Sequence, residues 1–205
     1  LRLLQLKPEI LWMSPHSLAE IIENIRELGR AAGRSNRAET FIGERRERLE
    51  NIAARTMNIS HRPRVFCMEW ADPGYCAGHW LPEMVELAGG IDELARKGTD
   101  SVRIPWEDVL KWSPEIVIFS PCGFNLEKAL GQISHLESQP GWAGLPAVRN
   151  GRVYAVDANA YFARPGPRVV DGVELLAHLI HPDLFDWNGP DDAFRAISTS
   201  NSCAA

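Results

Sequence analysis

This 205-residue sequence lacks most of the short motifs that announce a chemistry. There is no GxGxxG and no GxxxxGK[ST], so no loop is built to cradle a nucleotide phosphate. The four cysteines, Cys67, Cys76, Cys122 and Cys203, contain no CxxC pair and no ligand-like spacing to histidine, which removes the usual zinc frameworks. No apolar run approaches the roughly 20 residues needed to span a bilayer, and direct membrane insertion is not expected. A positive excess is missing too: net charge is −5, giving no electrostatic footprint for nucleic acid. Arg45, Arg46, Arg48 and Arg55 stand among Glu44, Glu47 and Glu50 and read as a solvated helix face. The chain opens on Leu1 and reaches Lys7-Pro8 without a signal-peptide pattern, so the compartment stays open.

What is present is an ordinary globular mixture, 45% hydrophobic and 24% charged. Residues 1–11 read as a helical tag, LRLLQLK, then Pro8 and a short apolar strand from Glu9 to Leu11. Ser17 and Glu20 have capping-box spacing, and Leu18, Ile21, Ile22, Ile25 and Leu28 follow at helical period. Gly29 and Gly33 interrupt before the pattern resumes, predicting two helices, or one kinked helix, over 17–57. After Pro63 the pattern changes. Strands are predicted at Arg64–Glu69, Glu115–Ser120 and Arg152–Asp157, and helices at Leu81–Leu87, Trp106–Trp112, Asn125–Leu136 and Arg168–Ile180. The run EIVIFS is apolar throughout, as in a strand covered on both faces. The alternation predicts an α/β, Rossmann-like lobe with a mostly parallel sheet between helices.

Ligands of such sheets bind beyond the carboxyl ends of the strands. The three loops expected there, EWADPGYCAGHW (69–80), PCGF (121–124) and ANAYFARPGPR (158–168), are rich in aromatic residues where polar turns are usual. Trp70, Tyr75, Tyr161 and Phe162 are the leading candidates for an aromatic-lined cleft, with Trp80 and Phe124 next. Arg164 is placed to pair with ligand amide or carboxylate groups, or is simply a surface arginine of its loop. Three other features compete for a chemical role. His79 could ligate a cobalt or iron centre, although a lone histidine more often serves structure. His178 and His181 suit the end of a helix. Cys122, after an apolar strand, is the best candidate nucleophile, yet Pro121 departs from a nucleophile elbow and no histidine–acid partners can be assigned.

In order, RPRVFCMEW, DP-x-Y-x-x-G-HW, a helix ending in AGG, SVRIPWEDVL, SPEIVIFSPCGF and GRVYAVDANAYFARPGPRVVDGVELLA resemble the second lobe of the cobalamin-binding class of periplasmic binding proteins, which also includes iron-siderophore and haem carriers. The match covers 62–187. It implies residues 1–16 as a remnant of a first lobe, 17–61 as a long helical connector, 62–187 as the ligand-binding lobe, and 188–205 as a C-terminal helix and tail. It further implies non-covalent binding of cobalamin or another corrinoid, with haem or an iron-siderophore as alternatives, no intrinsic cofactor and no catalysis. The implied partners are a small-molecule ligand and an ABC transporter permease, in a periplasmic or other extracytoplasmic setting. By the same resemblance Glu107 matches the acidic residue that docks on permease arginines; its plain role is to face the positive end of a helix. The family's first lobe is expected to be largely absent, leaving half a cleft. A degenerate half-protein kept as an interaction module, and a Cys122-dependent enzyme, are the competing readings.

Overall fold

The computed structural model describes residues 10–198. The expected tag at 1–9, Cys203 and nearly all of the polar tail lie outside that range, and Ile10 and Leu11 form no strand. The chain opens with helices α1 (Leu18–Ala31) and α2 (Ser35–Thr56), then strands β1 (Val65–Ala71) and β2 (Gly74–Cys76). Helices α3 (Leu81–Leu87) and α4 (Trp106–Trp112) precede β3 (Ile116–Phe119). Next come α5 (Leu126–Leu130), α6 (Ile133–Glu137), a 3-10 turn at Trp142–Gly144 and α7 (Pro146–Arg149). β4 (Val153–Val156), α8 (Ala158–Tyr161), α9 (Val169–Ile180) and β5 (Phe194–Ala196) close the fold.

The sheet order is β2-β1-β3-β4-β5. β1, β3 and β4 pair in parallel, and both outer strands are antiparallel to their neighbours. Side chains alternate along each central strand, so the sheet serves two cores. Val65, Cys67, Ile116, Ile118 and Val156 face α1, α3 and α9. Phe66, Met68, Val117, Phe119, Val153 and Ala155 face α5, α6 and α7. A fully buried side chain of this size contributes about 1.5–3 kcal/mol, which is why the central strands read as unbroken apolar runs. The carboxylate of Asp92 accepts from the Cys67, Leu94 and Ala95 amides, fixing the chain after α3 against the middle of β1.

The 17–57 stretch is a helical hairpin. Arg26 and Glu39 bond at 2.6 Å, whereas a continuous helix would separate them by about 20 Å. Gly29 permits the close crossing: a Cβ there would stand 2.3 Å from that of Ala38. Ser17 caps α1 through the Glu20 amide, while the Glu20 carboxylate reaches the His16 amide rather than that of Ser17. The arginine-rich face of α2 is less solvated than expected. Arg48 forks onto Glu174 (2.8 and 2.6 Å) and Asp171 (2.5 Å) of α9, and Arg55 lies over the Phe185 ring. Two further expectations are corrected. The Asn125–Leu136 helix breaks at Gly131-Gln132 into α5 and α6, and among the described residues the segment after 187 carries the strand β5 and no helix.

His181 closes α9 and donates through Nε2 to the Gly89 carbonyl at 3.1 Å, with Gly89 at φ +86°. Burial and then the cations Arg152 and Arg62 lower its pKa, against the carbonyl bond, which raises it. The unfolded chain therefore takes up this proton first, near pH 6.5. Stability from His181 is complete above about pH 6.5 and declines as pH falls below it. Urea unfolding of the wild type at about pH 7.5 and 5.5 is expected to show that loss, and His181→Gln, which keeps a donor but cannot titrate, is expected to reduce it; an identical pH slope in the variant counts against the assignment.

Candidate ligand-binding site

Because β1, β3 and β4 run in parallel, the loops that leave them gather at one edge of the sheet. A pocket of about 300 Å³ opens there, lined by Glu69, Gly78, His79, Trp80, Cys122, Phe162 and Pro165, with Met13, Ser14 and Pro15 from the segment ahead of α1. The wall is built by locked backbone. The His79 amide donates to the Thr99 carbonyl (2.6 Å) and the Gly98 amide to the His79 carbonyl (3.0 Å). Position 78 must be glycine, since a Cβ would meet Thr99 O and Ser101 N at 2.5 Å. His79 itself holds φ +53°, a costly conformation for a residue with a side chain.

The six aromatic candidates separate into three places instead of one cleft. Trp80 and Phe162 line the pocket, buried at 8% and 4% exposure, and the Trp80 indole N–H donates to the Phe162 carbonyl at 2.9 Å. Trp70, Tyr75 and Phe124 lie outside the pocket lining but along the same sheet edge. Trp70 packs edge to face with Phe124 (centroids 5.3 Å, 80°) and stands opposite Tyr75 across the β1–β2 pair. Trp70 is 39% exposed, which leaves it free to meet a ligand. Tyr161 requires a correction. One residue from Phe162 on a helical turn, it faces away, packs against Trp187 and borders a second hollow with Arg48 and Glu174.

Arg164 is exposed between pocket residues Ala163 and Pro165, and its Nε donates to Asn159 Oδ1 at 2.7 Å. Glu107 is exposed in the first turn of α4. That helix runs back toward the start of β3, so its amino terminus lies at the carboxyl edge of the sheet. Glu69 and Cys122 share the pocket with the aromatic wall. Glu69 is tucked into the pocket, where burial raises its carboxyl pKa against the lowering effect of the Ser101 hydroxyl at 2.5 Å. The Cys122 thiol is raised by burial and then by Glu69, so it is held protonated and is a poor nucleophile. Beside the pocket His79 meets Asp100 at 3.1 Å and stacks on His16 at 5.2 Å. His16 and Asp100 had no sequence signal, because each gains meaning only from neighbours far along the chain.

The chain belongs to the periplasmic binding protein family, whose model matches residues 2–160. It is 28% identical over 174 residues to an uncharacterized ABC transporter substrate-binding lipoprotein of Bacillus subtilis (strain 168), covering 82% of this chain and 52% of that protein. It is 28% identical over 164 residues to the vitamin B12-binding protein of Vibrio cholerae serotype O1, covering 78% of this chain and 55% of that protein. Thus the chain spans about half the length of the curated relatives it matches. The fold is also that of the haem-complexed IsdE of S. aureus: TM-score 0.74, 18% identity, 86% of this chain and 70% of that one.

Replacing Trp80 by Phe keeps an apolar ring in the pocket and removes the only hydrogen bond to the Phe162 carbonyl among the described residues. Trp80→Phe is expected to cost about 1–3 kcal/mol in urea unfolding, the penalty of a buried acceptor left unpaired. A loss below about 0.5 kcal/mol would mean that water replaces the indole.

Proposed function

We propose that this chain is the ligand-binding part of an ABC importer's substrate-binding protein and takes cobalamin or a related corrinoid without turnover, in an extracytoplasmic compartment. The observation that carries this reading is the strand-end pocket, walled by Trp80 and Phe162, next to the exposed Trp70–Phe124 pair. Rigid aromatic surface suits a large flat ligand, because it buries area at little cost in side-chain entropy. The relative that binds vitamin B12 in Vibrio cholerae supports the same ligand class. Haem and iron-siderophores are the alternatives, supported by the haem-complexed neighbour and by a similar fold in a Saccharomonospora viridis hydroxamate-transport protein. The protonated Cys122 thiol favours binding over catalysis.

A pocket of about 300 Å³ lies at the small end of ligand sites, so a corrinoid would contact this lobe on one side only. Cobalamin is expected to quench tryptophan fluorescence with a Kd on the order of micromolar or weaker. Trp70→Ala is expected to weaken it about two- to tenfold, by roughly the 0.5–1.5 kcal/mol of an aromatic contact. Haem and a ferric siderophore titrated alongside test class. A specific observation favours a second reading, an interaction module: Leu18, Ile22, Leu49, Ala53, Met57 and Leu87 line an apolar groove between the hairpin and α3. Failure of all three ligands to quench would leave that reading standing.

Glu107 supports docking on a permease. It is exposed at the edge that carries the pocket, and among the described residues no hydrogen bond or ion pair engages its carboxylate. Against a permease arginine it would form a charge-assisted pair. Glu107→Ala is expected to weaken permease binding or slow uptake in a reconstituted transporter, while ligand affinity stays unchanged and stability moves by no more than about 0.3–1 kcal/mol. Unaltered uptake would remove Glu107 from the docking surface.

A further inference from the structure

We propose that His16, His79 and Asp100 form a binding site for a divalent transition-metal ion of the Zn²⁺ class. Among the described residues these three bring one ligand atom each to within 4.8 Å of one another. His79 Nε2 stands 3.1 Å from Asp100 Oδ1, and His16 Nε2 stands 3.8 Å from the same oxygen. Ligand atoms about 2.1 Å from a tetrahedral ion lie about 3.4 Å apart, so the first distance already fits. The second closes by a few tenths of an ångström through the exposed Asp100 side chain. Two imidazoles and one carboxylate are a donor set for Zn²⁺ and its borderline neighbours, with water completing the shell.

The supports of these ligands mark the cluster as more than a surface ion pair. His16 Nδ1 donates to the Ser14 carbonyl at 3.0 Å, which fixes the tautomer with the Nε2 lone pair free toward Asp100. Its backbone amide is held by the Glu20 carboxylate at 2.5 Å. His79 and the loop bearing Asp100 are joined by two backbone hydrogen bonds, through the His79 amide and carbonyl, next to Gly78, which admits no Cβ. The rings of His16 and His79 lie stacked, 20° from parallel. His79 also belongs to the wall of the strand-end pocket, so the ion would sit beside that pocket and leave its aromatic wall intact.

The test is isothermal calorimetry of the full chain, freed of metal by chelation and dialysis, titrated with ZnCl₂ and with no corrinoid present. Metal uptake is thereby judged apart from the transport reading. One equivalent is expected to bind. His16→Ala, His79→Ala and Asp100→Asn are each expected to weaken binding by at least the ~10–100-fold that follows loss of even an outer-shell partner. His61→Ala, which touches only the exposed Glu115 pair, is expected to bind as the wild type does. Thermal unfolding of each variant identifies any that fails to fold; Asp100→Asn, isosteric and 83% exposed, keeps the test decisive in that event. Co²⁺ supplies a second readout, with visible bands that lose intensity in the same three variants. Absence of saturable uptake, or equal uptake by wild type and folded variants, overturns the site.

Discussion

Parallel pairing of β1, β3 and β4 is the constraint on which the remaining architecture rests. Each parallel step demands a crossover, and the crossovers cover both faces of the sheet, which is why the central strands carry apolar side chains in both directions. The same pairing delivers three chain exits to one edge. Much of the chemistry of the lobe follows from that delivery: the Trp80–Phe162 pocket, the Trp70–Phe124 pair, half-buried Glu69 and the exposed start of α4. The register itself is held from outside the sheet by Asp92, whose carboxylate gathers three amides from β1 and the segment after α3.

The helical hairpin is joined to this lobe by polar contacts as well as packing. Arg48 spans two carboxylates of α9, a bidentate fork with one further oxygen, and these carboxylates raise the arginine's pKa. A partly exposed network of this kind fixes direction more than it adds stability. It also explains why a glutamate- and arginine-rich helix with little apolar surface stays on the lobe. The hairpin is not a loose tether: its residues Leu18, Ile21 and Ile52 join the same core as β1 and β3.

Much of the fold was legible because its elements carry signals of their own. EIVIFS reads as a doubly covered strand, and Gly89-Gly90 closes α3. The edge strands were not legible. β2 and β5 have three residues each, too few for a period, and owe their conformation to partners that the sequence does not name. The site was legible at the level of loops but not of side chains. Tyr161 and Phe162 are adjacent in sequence, yet the turn of α8 sends them to different hollows, and Trp70 and Trp80 end one exposed and one buried. Arg48 read as solvated because its partners lie over a hundred residues away. The trio of His16, His79 and Asp100 was hidden for the same reason.

The shortness of β2 and β5 carries a consequence for colloidal behaviour. A sheet recruits foreign strands through unpaired amides and carbonyls on its flanks, and a long flat flank is a template for polymerisation. Here the β2 flank is already covered by the 102–104 segment, which bonds to Gly74 and Cys76, and the β5 flank is three residues long. The first meets β1 at the turn of Asp72–Pro73, and the second, Phe194–Ala196, keeps Phe194 half-buried and exposes the charge of Arg195. The apolar strands with the greatest capacity to stack, β1 and β3, are sealed between these guards. Sheet extension is thereby blunted at both borders even though the interior of the sheet is among the most hydrophobic stretches of the chain.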